Sequence, residues 1–220
     1  MLHINKYEHI IWDWNGTLID DGWLFVKIMN KMLFKNHLAP ISISQYRDLF
    51  SFPVKTYYEK LGFNFEHQSF EEAGNEFIDE YKEHRYDAEL YSETELLLKF
   101  LTEKGITNSI LSAQHQTFLN DLTCYYNIDK YFINIVGLDN HYAHSKVDNG
   151  IELIKEIDID INKILMVGDT DHDFEVSQAL GIDCILISHG HNSFSRLKKT
   201  NAHIVDNLSK LAYFLEIDFL

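Results

Sequence analysis

The spacing of apolar residues divides the chain into three stretches. Tyr7 to Trp12 is an aromatic and β-branched run suited to a buried strand. Asp13 ends that run, and Gly16 then lets the chain turn sharply. From Leu24 to Leu33 the period becomes helical, with apolar residues at 25, 28, 29, 32 and 33 on one face. Pro40 closes this helix. Ser42 with Gln45 has the form of a capping box for a second helix. Val54 to Leu61 is a third, stopped by Gly62, and Ser69 with Glu72 opens a fourth that runs to about Arg85. Residues 22–86 therefore predict helices and almost no strand.

Beyond residue 92 the pattern alternates. Ser92 with Glu95 predicts a capped helix through Lys104, ended by Gly105, and Ile106 to Leu111 a strand ending at Ser112. A helix over Gln116–Tyr126 and a strand over Phe132–Val136 follow. Next come a helix over Val147–Ile157 and a strand over Lys163–Val167 that ends at Gly168-Asp169. Phe174–Leu180 is helical, Cys184–Ile187 a strand, and the tail from Asn207 an amphipathic helix. This alternation predicts an α/β fold, a doubly wound parallel sheet with an inserted α-helical domain. The core would be residues 1–21 and 87–220, and the cap residues 22–86.

With 220 residues, 45% of them hydrophobic, the chain can bury a core of this size. Its formal charge of −15 argues against nucleic acid or an anionic membrane as partner. No apolar run is long enough to span a bilayer and no signal peptide is evident. Cys124 and Cys184 lack metal-ligand spacing, consistent with reduced thiols. The expectation is a cytoplasmic monomer or homodimer acting on a small molecule.

Strand ends carry the candidate chemistry. Asp13, Ser112, Lys146 and the pair Asp169 and Asp173 in GDTDHD fall at strand ends or in the loops after them. In this topology such ends converge on one crevice. Clustered carboxylates repel unless a cation sits among them, and a hard divalent ion, best magnesium, suits the set. Singly, each has a plainer role: a turn aspartate, a cap serine, a solvated lysine. Together, a cation, a hydroxyl and free backbone N–H groups can cradle a phosphoryl group.

The order WDWNGTL, then ILSAQ, then HSK, then MVGDTDHD resembles the haloacid dehalogenase-superfamily phosphatases, in the branch like phosphoglycolate phosphatase with a helical cap. The resemblance covers nearly the whole chain. It implies that Asp13 is a nucleophile forming an aspartyl-phosphate and that Ser112, with Ala113 beside it, and Lys146 hold the phosphoryl oxygens. It further implies magnesium bound by Asp13, the main-chain carbonyl of Asn15 and Asp169, with Asp173 supporting that shell.

Asn15 departs from the family pattern, which has a second aspartate there as general acid and base. An amide cannot serve that way. Alkyl phosphates should turn over slowly, while acyl or aryl phosphates need that proton less. In LFSFPVK, the residues Phe50, Phe52 and Lys55 are candidates to touch substrate, although the two phenylalanines read equally well as cap core. A cap lysine also resembles phosphonoacetaldehyde hydrolase, where a lysine forms a Schiff base, but that family has alanine at the position of Asn15. The remaining alternative is a non-catalytic phosphate-metabolite binder. His141, His144, His189 and His191 read as solvated loop residues, and His172 takes no assigned role. Asp20 and Asp21 read as charges favouring the start of the first cap helix.

Overall fold

The computed structural model describes residues 4–138 and 145–216. Strand β1 (His9–Trp12) is wholly buried, as its apolar run requires. After it the chain forms a short strand β2 (Ile19–Asp20) and then four helices: α1 (Gly22–Lys35), α2 (Ile43–Leu49), α3 (Val54–Lys60) and α4 (Phe70–His84). It returns through β3 (Glu89–Leu90). β2 and β3 pair antiparallel, so a two-stranded ribbon carries the chain into and out of the helical block. Strands two residues long carry no period, and the sequence gives no sign of this ribbon.

The rest alternates as expected: α5 (Thr94–Glu103), β4 (Thr107–His115), α6 (Gln116–Tyr125), β5 (Asn134–Leu138) and α7 (Ser145–Ile157). Then come β6 (Ile164–Gly168), α8 (Asp171–Leu180), β7 (Asp183–Ile187), α9 (Phe194–Leu197), β8 (His203–Val205) and α10 (Leu208–Phe214). Six strands form one parallel sheet in the order β5-β4-β1-β6-β7-β8. The chain leaves β1 toward β4 and β5, then crosses back to place β6 on the other side of β1. The strand carrying Asp13 thus lies where the winding reverses, which is where such sheets form a ligand crevice at the carboxyl ends.

The capping boxes at Ser42/Gln45 and Ser69/Glu72 form in full. The one predicted at Ser92/Glu95 does not: α5 starts a residue later, on Glu93, and the Ser92 hydroxyl donates to the Glu93 carboxylate at 2.7 Å. β4 runs past Ser112 to His115, and β5 lies two residues beyond its predicted range, because pairing with β4 sets its ends. Helix α8 begins at Asp171, earlier than Phe174, on a capping box of Thr170 and Asp173. One continuous apolar cluster runs from the sheet (Ile10, Trp12, Val167) into the helical block (Leu24, Met32, Tyr57). A second lies under α7 and α8. No helix among the described residues is long and apolar enough to cross a membrane.

Candidate active site

Parallel pairing on both sides of β1 fixes what surrounds Asp13. Trp12 is level with Ile110 of β4 and Val167 of β6, so the chain ends at Ser112 and Asp169 arrive beside Asp13. The Asp13 amide donates to the Val167 carbonyl at 2.9 Å. Lys146, in the first turn of α7, is buried. Its ammonium donates to Asp13 Oδ1 at 2.7 Å and to Asp173 Oδ1 at 2.6 Å. The second oxygen of Asp173 accepts from the Thr170 amide (2.9 Å), the Thr170 hydroxyl (2.7 Å) and the Asp169 amide (3.2 Å). Capping is therefore Asp173's local role, and through Oδ1 it also holds Lys146 against Asp13. Asp169 accepts from the Thr17 hydroxyl at 2.9 Å and from the His191 amide at 2.6 Å. Ser112 is buried, and its oxygen accepts from the Gln114 amide at 3.2 Å, so the hydroxyl hydrogen remains to be given to a ligand.

Asp13, Asp169 and Asp173 each bring one carboxylate oxygen within 4.8 Å of the others, all buried. Burial pushes the Asp169 carboxyl up to about 8, against the opposing pull of His191, with Asp13 and Asp173 adding repulsion. Burial likewise raises Asp13, although Lys146 works the other way. Asp173 is the exception: the ammonium and hydrogen bonds of Lys146 outweigh burial and hold it below the usual carboxylate range. Burial disfavours the Lys146 ammonium, yet the two carboxylates overcome this and raise its pKa. One lysine among three acids leaves surplus negative charge on hard oxygen donors, a set that could bind a metal ion.

A second buried network lies behind the first. Asn15 donates to Asp21 Oδ2 at 2.5 Å and to the Tyr81 hydroxyl at 3.3 Å. Asp21, fully buried, also accepts the Gly16 amide at 3.0 Å and meets His191 Nε2 at 3.0 Å. The other nitrogen of His191 lies 2.5 Å from the Tyr46 hydroxyl of α2. Asp21 is the N-cap residue of α1, as expected, but its side chain makes no cap bond there and serves this network instead. His191 is no solvated loop residue: Asp21 outweighs its burial and raises its pKa. His189 is half-buried and stacks on Tyr91 with ring centres 3.7 Å apart, and burial lowers its pKa to about 4. His172 lies beside Glu175 at 3.2 Å and against the Phe52 ring at 4.8 Å. His141 and His144 fall outside the described residues. The sequence signal for the buried loop is Gly190: a Cβ there would stand 2.1 Å from Asp169 Oδ2. Gly16, at φ +73°, faces the same carboxylate from the other side.

Between the strand ends and the helical block lies a cavity of about 430 Å³. Its floor holds Asp13, Asn15, Ser112, Ala113, Lys146 and Asp173, so these residues open on one space. Phe50 and Phe52 line its wall; Lys55 does not. Val54, Tyr57 and Tyr58 of α3 face the cavity. Lys55, one residue round the helix from Val54, is exposed, with its ammonium 5.8 Å from the Phe65 ring. The Schiff-base role considered for Lys55 therefore lacks its amine in the site.

A model of the haloacid dehalogenase-like hydrolases matches residues 10–187. Among curated proteins, the chain is 23% identical over 211 residues to phosphoglycolate phosphatase 1 of Pseudomonas aeruginosa, covering 92% of this chain and 77% of that protein. It is 22% identical to a 5'-nucleotidase of the same organism over 224 residues, 96% of each. Among solved structures, a haloacid dehalogenase-like family hydrolase of Streptococcus pneumoniae superposes with a TM-score of 0.79 at 21% identity, covering 96% of this chain and 99% of that one.

Proposed function

The chain belongs to the haloacid dehalogenase-like hydrolases, and from that premise we propose that it hydrolyses small phosphomonoesters with Asp13 as nucleophile. The observation that carries this reading is Asp13 itself: a buried carboxylate at the mouth of β1, held by Lys146 at 2.7 Å and opening on the cavity. A carboxylate oxygen of Asp13 attacks phosphorus. The bond from phosphorus to the ester oxygen breaks, and that oxygen leaves with the electron pair. Water then attacks phosphorus, releasing orthophosphate and restoring Asp13. Lys146 offsets charge on the phosphoryl oxygens, and the Ser112 hydroxyl and Ala113 main chain donate to them. Asp13, the main-chain carbonyl of Asn15 and Asp169, with Asp173 supporting, would hold magnesium, which would supply further positive charge there. Residues 22–86 act as the cap that encloses the substrate, and residues 1–21 and 87–220 as the core. With both cysteines free thiols, we assign the cytoplasm as its compartment.

The test is p-nitrophenyl phosphate hydrolysis by purified protein with and without magnesium. Asp13→Asn, which keeps shape and removes the nucleophile, should lower the rate by more than about 10³-fold. Hydrolysis that survives both Asp13→Asn and chelation overturns the proposal. Complete inactivity of the folded wild-type protein would instead favour a phosphate-metabolite binder, the reading that Asn15 would support.

A further inference from the structure

The wall of the cavity is more selective than its floor. It is lined by Phe25, Phe50, Phe52, Tyr57, Phe70 and Phe77, with Met29 and Ile78 between them. Among the described lining residues the sole lysine or arginine is Lys146, already bound to Asp13 and Asp173. On the wall Glu71 is negative; of the two histidines that also line the cavity, His191 has both ring nitrogens engaged, by Asp21 and Tyr46. A carboxylate on the substrate would therefore lose its hydration and meet no lysine or arginine other than Lys146. Gln114 is partly engaged, its amide donating to Tyr81 at 2.9 Å and its carbonyl accepting from the His115 amide at 3.0 Å. Tyr57 lines the cavity with its ring, while its hydroxyl is buried away from it.

The floor constrains the leaving group independently. Both amide hydrogens of Asn15 are engaged, by Asp21 at 2.5 Å and Tyr81 at 3.3 Å. No acid at that position can protonate the departing oxygen. An oxygen that must leave as an anion favours a phenol, of pKa about 10, over an alcohol nearer the 15.7 of water.

Wall and floor converge. Resting on the reading of Asp13 as phosphoryl acceptor, we propose that the substrate is the phosphate monoester of an uncharged aromatic alcohol. The aryl oxygen–phosphorus bond breaks with its electron pair staying on oxygen, and the aryloxide takes a proton from water. Water then cleaves the aspartyl-phosphate, so the sum is aryl phosphate plus water giving phenol plus orthophosphate.

Four esters measured by kcat/KM with magnesium separate the two constraints. 1-Naphthyl phosphate has an apolar ring and a good leaving group, and 2-phenylethyl phosphate the ring alone. Acetyl phosphate has only the leaving group, and phosphoglycolate neither. 1-Naphthyl phosphate should exceed 2-phenylethyl phosphate by about 10²-fold or more, the usual worth of a missing acid, and should exceed acetyl phosphate and phosphoglycolate as well. Gly74, on α4, supplies the steric arm: it lines the cavity, and a Cβ there meets nothing within 4 Å. Gly74→Phe keeps the helix while filling the space, and should lower the ratio of naphthyl to acetyl phosphate turnover at least tenfold. Gly74→Leu, a smaller filler, should do the same to a lesser degree. A preference for phosphoglycolate abolished by Asp13→Asn overturns the substrate class and leaves the phosphatase reading standing. An equal loss on both esters in the Gly74 variants also overturns it. If no ester is turned over in a manner dependent on Asp13, both proposals fall together.

Discussion

Exchanging the residues at 15 and 21 would test whether the missing proton limits this enzyme. Asn15 donates to Asp21 Oδ2 at 2.5 Å. Asn15→Asp alone would set two carboxylates face to face. At an effective dielectric of about 20 their repulsion is about 4 kcal/mol at 4 Å, and larger at closer range, so the pair would retain a shared proton. The single variant should lose about 1–3 kcal/mol of stability. The double variant Asn15→Asp with Asp21→Asn avoids that cost. The bond is then made in reverse, and the new amide carbonyl at 21 can still accept the Gly16 amide and face His191, each now 3.0 Å from Asp21. The double variant should melt within a few degrees of the wild type and supply a general acid. General acid catalysis is worth about 10²–10⁴-fold, roughly 3–5 kcal/mol of barrier. Because kcat/KM reports events up to departure of the leaving group, the gain should appear on 2-phenylethyl phosphate and be less than about tenfold on p-nitrophenyl phosphate. The wild type should show a burst of p-nitrophenol as phosphoenzyme accumulates, and the double variant should lose it. A folded double variant with no gain on the alkyl ester, or an equal gain on both, refutes the reasoning.

Two further outcomes follow from the site. Lys55 is exposed over Phe65 and outside the cavity, so Lys55→Ala should leave kcat/KM for p-nitrophenyl phosphate within about twofold, in the range of ordinary surface changes. Borohydride with phosphonoacetaldehyde should then leave Lys55 unlabelled, and a trapped adduct on it would contradict the placement. Without metal, burial holds the Asp169 carboxyl up to about 8, so below that pH the group is protonated and must lose its proton to bind an ion. Magnesium affinity should rise about tenfold per pH unit toward 8 and level off above it. Calorimetry in two buffers of different ionisation enthalpy would detect the released proton, and an affinity flat from pH 6 to 8 would contradict this coupling.

What could be read from the sequence was local or periodic. The run ending at Trp12 gives β1, the two capping boxes mark the starts of α2 and α4, and apolar runs mark β6 and β7. The acids and the lysine on the cavity floor were visible because strand ends in such a sheet converge. The second network was not. Asp21 meets His191 across 170 residues of sequence, and Tyr46 meets it across 145. Apart from Gly190 beside His191, nothing in the surroundings of the three residues announces a partner so distant. Ser92 and Glu95 show the converse, a correct local pattern that tertiary structure does not use: the chain enters α5 from β3, and the Ser92 hydroxyl turns to Glu93 instead.

The two networks together determine what must enter with the substrate. Asp13, Asp21, Asp169 and Asp173 are all buried, against Lys146 and His191 as the buried positive partners bonded to them. Even with His191 protonated, four ionised acids would leave two negative charges before a phosphoryl dianion arrives. Such a site can bind that dianion only if carboxyls take up protons or a cation joins the cluster. A proton on Asp13 would silence the nucleophile, and one on Asp169 would remove an ionised carboxylate from the set that could hold a metal ion. A divalent ion supplies the deficit while leaving Asp13 ionised, and the glycines at 16 and 190 are what let the backbone close on Asp169 tightly enough to keep that carboxylate in place. Enlarging either residue, as in Gly190→Ala, which would set a Cβ 2.1 Å from Asp169 Oδ2 and 2.5 Å from the Gly16 carbonyl oxygen, should therefore weaken metal binding and lower the melting temperature together. A calorimetric titration beside a thermal melt would read the two effects separately.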